Sequence, residues 1–168
     1  MTSIDLAYVH VVLNHAPLIG LVAGMVLLAS ALAARSRDLA VASLVALVLV
    51  ALVSLPVYFT GEHAEERVEH LQGVSHDDIE EHEDAAWFAI VFVEIVGAAA
   101  LLALAGSRRR GGEVPRGILV AMLLLALFTF TVIARTAYLG GKIRHTEFGS
   151  SAVAEEEGDD RGRGRGGR

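Results

Sequence analysis

The chain contains no cysteine. That excludes disulfides, iron–sulfur clusters, thiolate metal sites and the CxxCH attachment of a c-type haem. Any metal held here takes histidine, carboxylate or a backbone oxygen. The hydrolytic signatures are missing as well: there is no GxSxG, no HExxH and no P-loop. Charge is nearly missing from four long runs, residues 6–34, 39–60, 85–105 and 118–139. Glu94 and Arg135 are the only formally charged side chains in them.

What is there is apolar sequence in blocks. Hydrophobic residues make up 54% of the 168 and the mean hydropathy is +0.52. Soluble domains mix apolar and polar residues at short period, whereas uncharged blocks of about 20 residues are long enough to cross a bilayer as helices. The four runs therefore predict an all-α, four-helix transmembrane bundle. The first run does not read as a secretory signal, because Met1 to Leu13 carries only Asp5 and His10 and so has no basic leading region.

Two connections, RSRD at 35–38 and SRRRGGEVPR at 107–116, are short and basic, while the connection at 61–84 has one basic residue, Arg67, among many acids. The positive-inside rule puts the two basic connections in the cytoplasm. Both termini and the 61–84 connection are then expected to be extracytoplasmic, in a multi-pass protein of the cell (inner) membrane. The basic RGRGRGGR tail lies too far from the last span to count. All seven histidines fall on the extracytoplasmic side in this topology. His10 and His15 are the two that a simple excess of polar sequence there does not explain.

The bundle is expected over 1–148, followed by a disordered tail, 149–168, too polar to bury a core. The acidic EEEGDD beside its RG repeats argues against nucleic acid. Gly20 and Gly24 form a GxxxG pair suited to close helix packing. Pro17 is expected to kink the first helix and Pro56 the second. The EHAEERVEHLQG stretch reads as helical. Ser75 followed by acids reads as the start of the third helix, near His76.

The sequence HVVLNHAPLIG, His10 to Gly20, poses the functional question, because polar side chains stand at hydrocarbon depth. His10, Asn14 and Pro17 share one helical face, with His15 about 100° round. At about 1.5 Å of rise per residue, His15 and Glu94 lie at similar depth, and His10 and Arg135 a turn nearer the surface. These residues, with Ser54, Thr129 and Thr131 as further hydroxyls, predict an outward-opening polar pocket, since ionisable groups in a membrane face the bundle interior. A b-type haem needs two facing histidines. His10 with His82 or His145 is the best match in depth, and Arg135, Lys142 and Arg144 could meet the propionates. A transition-metal site for iron, copper or zinc can be drawn from His10, His15, His82, Glu83 and His145. His15, Glu94 and Arg135, with Asn14, can also be drawn as a proton relay. His63, Glu66 and His70 mark a weaker surface site on the loop.

Four stretches together, HVVLNHAPLIG, LPVYFTGEHAEE, GVSHDDIEEHEDAAW with VEIVG following, and GGKIRHTEF, resemble a family of small bacterial four-helix membrane proteins with no assigned activity. The likeness covers nearly all of the chain to Phe148. It marks His10, Asn14, His15, Pro17, Gly61, His82, Glu83, Glu94, Gly141, Arg144 and His145, and departs at Thr146, where the family form has proline. It implies a topology and a residue set, not a reaction.

The leading expectation is a haem or metal protein that passes electrons to other membrane or extracytoplasmic redox proteins, or handles a metal. The alternatives are a cofactor-free accessory subunit of a membrane complex and a proton-coupled transporter. The inner half of the bundle, dry and rich in leucine and valine, speaks against the transporter. Self-association is compatible with each.

Overall fold

A computed structural model describes residues 5–68, 74–109 and 111–144. The tail from 145 onward, with His145, and the loop residues 69–73, with His70, lie outside the described residues. Five helices run in order: α1 Leu6–Leu13, α2 Ala16–Ala34, α3 Arg37–Val68, α4 His76–Arg109 and α5 Arg116–Arg144. Four stretches are long and apolar enough to cross a membrane, with α1 and α2 together forming the first.

The first of these stretches is two helices, not one. Pro17 has no N–H for the carbonyl four residues back, so the ladder breaks at Asn14 and His15. Both residues keep right-handed helical backbone angles, and the phase of the helix carries across the break. Pro56 does not do the same: α3 runs unbroken through it. The 61–84 connection is mostly helix, as α3 continues to Val68 and α4 begins at His76. With 32 and 34 residues, these two helices are roughly 50 Å long, well beyond a hydrocarbon core of about 30 Å.

The helices pack in a ring: α2 on α3, α3 on α4, α4 on α5, and α5 back on α2. The core between them is Leu21, Leu28, Leu44, Leu47, Val93, Val96, Ala126 and their neighbours. Glycine sets two of the contacts. Gly20 and Gly24 lie under Val50 and Leu47 of α3, and Gly97 of α4 lies directly on the Ala51 side chain. Small residues matter more in a membrane than in water, because lipid tails are as apolar as the core and close packing must supply the attraction.

One end of the ring is incomplete. α1 packs along α3, but there is no extended packing between α1 and α5 among the described residues. No side chain of α1 is buried. The bundle is therefore closed at its arginine-rich end, where Arg116 reaches across to the Leu32 carbonyl at 3.2 Å. It is open between α1 and α5 at its acidic end.

Candidate functional site

The open end gathers two of the histidines. The Nδ1–H of His10 on α1 donates to the Val57 carbonyl of α3 at 2.9 Å. The Nδ1–H of His82 on α4 donates to the Thr136 carbonyl of α5 at 3.0 Å. A carbonyl can only accept, so in each neutral ring the proton sits on Nδ1 and the lone pair on Nε2. Among the described residues neither Nε2 has a hydrogen bond. Burial pushes the His82 imidazole below its ordinary pKa; the Thr136 carbonyl opposes this, the charge of a protonated His10 adds to it, and Glu83 opposes it.

Backbone shape makes room for both rings. Gly61 lies beside the His10 imidazole, and a Cβ at Gly140 would stand 2.9 Å from Cε1 of His82. Thr136 adds a second tie, its hydroxyl donating to the Ala85 carbonyl at 3.0 Å and fixing α5 against α4 beside His82. Each imidazole is thus held by a neighbouring helix in the tautomer that leaves Nε2 free.

Asn14 locates the opening. Asn14, Leu21 and Leu28 repeat every seven residues and share a face. Leu21 and Leu28 are fully buried, yet Asn14 is exposed. Along that row the described residues are covered at Leu21 and Leu28 and exposed at Asn14, at the end where α5 has no extended packing on α1.

The rest of the expected pocket does not assemble within the chain. His15 is exposed, on a row with Ile19, Val22 and Val26, all exposed. One residue past Asn14, it turns out of the bundle. Arg135 is exposed too, and its guanidinium pairs with Glu81 at 3.1 Å on the surface. Lys142 pairs with Asp78 at 3.0 Å in the same way. Both cations hold α5 to the projecting first turns of α4, which as an irregular loop would not have offered these acids. The hydroxyls of Ser54, Thr129 and Thr131 are spent on carbonyls of their own helices. Glu83 is exposed, as are His63 and Glu66, and the Arg144 side chain lies outside the described residues.

Glu94 is isolated. Its Oε1 is buried with no hydrogen-bond partner among the described residues. The proton relay expected from His15, Glu94 and Arg135 is therefore not formed inside one chain. Nor is a three-ligand metal set: no group of three or more histidines and carboxylates with metal-binding geometry occurs among the described residues. What sequence reasoning missed was the role of Gly140 and Thr136. A glycine and a threonine one helical turn apart, opposite a histidine, form a pattern visible only once the α4–α5 register is known.

The surface position of Arg135 can be checked directly. Arg135→Ala removes an exposed ion pair, and such pairs contribute about 0–1 kcal/mol. Unfolding in detergent titrations is expected to shift by no more than that. A buried pocket arginine would cost several times as much.

No family model, no curated protein and no solved structure matches this chain.

Proposed function

We propose that the chain is a membrane redox protein that holds a b-type haem between His10 and His82 in the open end of the bundle. The observation that carries this reading is the pair of imidazoles on different helices, each pinned through Nδ1 to a main-chain carbonyl. That arrangement fixes the ring, raises the basicity of the other nitrogen and leaves it as a ligand. His10 and His82 would together supply a complete protein ligand set for a haem. A non-haem iron, copper or zinc site would need further ligands that the described residues do not supply.

The surroundings suit a flat apolar group. The face above Leu21 is uncovered at Asn14, the flanking positions are glycine, and Asn14 offers an amide to a polar edge. A haem held by these two histidines would supply reversible one-electron transfer. The protein's part is to hold the two rings in place and to keep bulk water out from the closed end. With the arginine-rich connections in the cytoplasm, the site lies in the extracytoplasmic half of the inner membrane. It is then open to electron exchange with a membrane carrier or an extracytoplasmic protein.

The test is a reduced-minus-oxidised visible spectrum of protein purified in detergent from a haem-competent host. A sharp α-band with a shifted Soret peak is the expected result. A flat spectrum from well-folded protein would overturn the reading and leave a cofactor-free accessory subunit as the better account.

A further inference from the structure

His15 and Glu94 are each stranded, and they are stranded at the same level. Gly24 lies opposite Leu47 and Gly20 opposite Val50, so His15 is level with residues 55–56 of α3. Gly97 lies opposite Ala51, so Glu94 is level with residue 54. At about 1.5 Å per residue, the two differ in depth by no more than about 3 Å.

They face opposite ways. His15, which precedes α2 with helical backbone angles, is about 140° round from Gly20, the residue against α3, so it lies on the flank away from α3. On α4, Phe92 packs edge-to-face on Phe128 of α5, and Glu94 is on nearly the opposite side, near Gly97 and α3. In the ring α2–α3–α4–α5, the α2/α5 edge and the α3/α4 edge are opposite edges. His15 stands on the first and Glu94 on the second.

An ionisable side chain at hydrocarbon depth almost always faces a protein interior or a water-filled cavity, and usually has a partner. Neither residue has one here. Among the described residues His15 makes no side-chain hydrogen bond, and Glu94 Oε1 is buried without one. Around each runs a face ready for a helix. His15, Ile19, Val22 and Val26 on one edge are spaced four, three and four apart. Trp87, Val91, Glu94, Ala98 and Leu101 on the other follow the same rhythm. Copies of one chain sit in a membrane at one depth and in one direction. A basic group on one edge and an acid at the same depth on the opposite edge therefore meet whenever two copies pack side by side.

We infer that the occupant of each edge is a second copy of this chain, joined head to tail by an intermolecular His15–Glu94 contact. Such a contact is heterologous: each copy uses one edge to receive and the other to donate, and repetition gives a closed ring or a row. A histidine and a glutamic acid share one proton between them in a hydrogen bond, so neither is left as an isolated charge in lipid. The inference is independent of the haem reading.

The absence of native cysteine makes the test direct. His15→Cys and Glu94→Cys variants of the full chain, differently tagged, are co-expressed and oxidised in native membrane vesicles with copper phenanthroline. Mixed His15→Cys/Glu94→Cys dimers are expected, and the double variant is expected to give a ladder of higher oligomers. Ile19→Cys with Ala98→Cys, one turn further along both edges, is expected to do the same and covers the case in which the first pair does not fold. Same-residue dimers in place of mixed ones would show a two-fold pairing and overturn the head-to-tail contact. No cross-link in either pair, from membranes holding folded protein, would overturn the interface altogether.

Discussion

Asparagine at His82 is expected to abolish the haem spectrum while leaving the fold intact, and alanine is expected to do the same with some loss of stability. The distinction comes from the two nitrogens of the ring. Nδ1–H serves the protein by donating to the Thr136 carbonyl, whereas Nε2 is free for a ligand. The Asn side-chain amide nitrogen occupies nearly the same place as Nδ1 and can donate the same bond, but it offers nothing at the position of Nε2. A purely structural His82 would therefore tolerate His82→Asn. Its removal in His82→Ala would cost about 1 kcal/mol, the usual net value of one hydrogen bond. A ligand His82 tolerates neither change in the spectrum. The same pair at His10, which donates to Val57 at 2.9 Å, gives an independent reading from the other wall. Measuring both the α-band and the unfolding midpoint separates the roles. Loss of colour at constant midpoint in His82→Asn assigns the ring to the cofactor. Unchanged colour in both variants would remove His82 from the site.

The four long apolar helices were legible in the sequence because uncharged blocks of that length have few other uses. The site was legible only in part, and the reason lies in what each residue's partner required. His10 and His82 could both be put near the outer end, because position along a helix follows from rise per residue. The pairing of His15 with Glu94 could not be settled that way. Their equal depth is correct, but depth leaves the angle around the bundle open. Which helix neighbours which, and on which flank, depends on Gly97 lying against Ala51 and Gly20 against Val50, facts of packing and not of pattern. Arg135 was misplaced for a different reason. Its partner, Glu81, sits on a turn of α4 that projects beyond the apolar run. A start near His76 already puts Glu81 on that helix, but only the α4–α5 register brings it opposite Arg135. Asn14 was placed on the correct face from its spacing alone. That the face is uncovered there depends on α5 stopping short of α1, which no local sequence signal states.

Leucine at Gly97 is expected to be the most destabilising single substitution in the bundle, by about 3 kcal/mol or more, and alanine there is expected to be the worst of the glycine-to-alanine changes. A Cβ at Gly97 would fall on the Cβ of Ala51, with the Ala51 Cα and the Leu47 carbonyl oxygen just behind it. Nothing there can swing aside: a Cβ is fixed to its backbone, so relief requires moving α3 from α4. At Gly20 and Gly24 the added Cβ would meet Val50 Cγ2 and Leu47 Cδ2, both at 2.7 Å. Those atoms are the far ends of side chains, and a rotamer change removes much of the clash. Overpacking costs about 1–3 kcal/mol where neighbours can adjust and more where they cannot. The expected order of stability loss is therefore Gly97→Leu, then Gly97→Ala, then Gly24→Ala and Gly20→Ala. It can be measured by unfolding in mixed micelles of rising denaturing-detergent fraction. Equal losses at all three glycines would mean that the α3–α4 contact is looser than the Gly97–Ala51 approach implies. The same wedge has a second consequence, because α4 is one continuous helix from His76 to Arg109. Parting α3 from α4 moves His82 away from His10, which is held to α3 through Val57. Gly97→Ala is therefore expected to weaken the His10–His82 site from about 20 Å away along the helix, while Gly24→Ala, on the α2–α3 contact, leaves it intact.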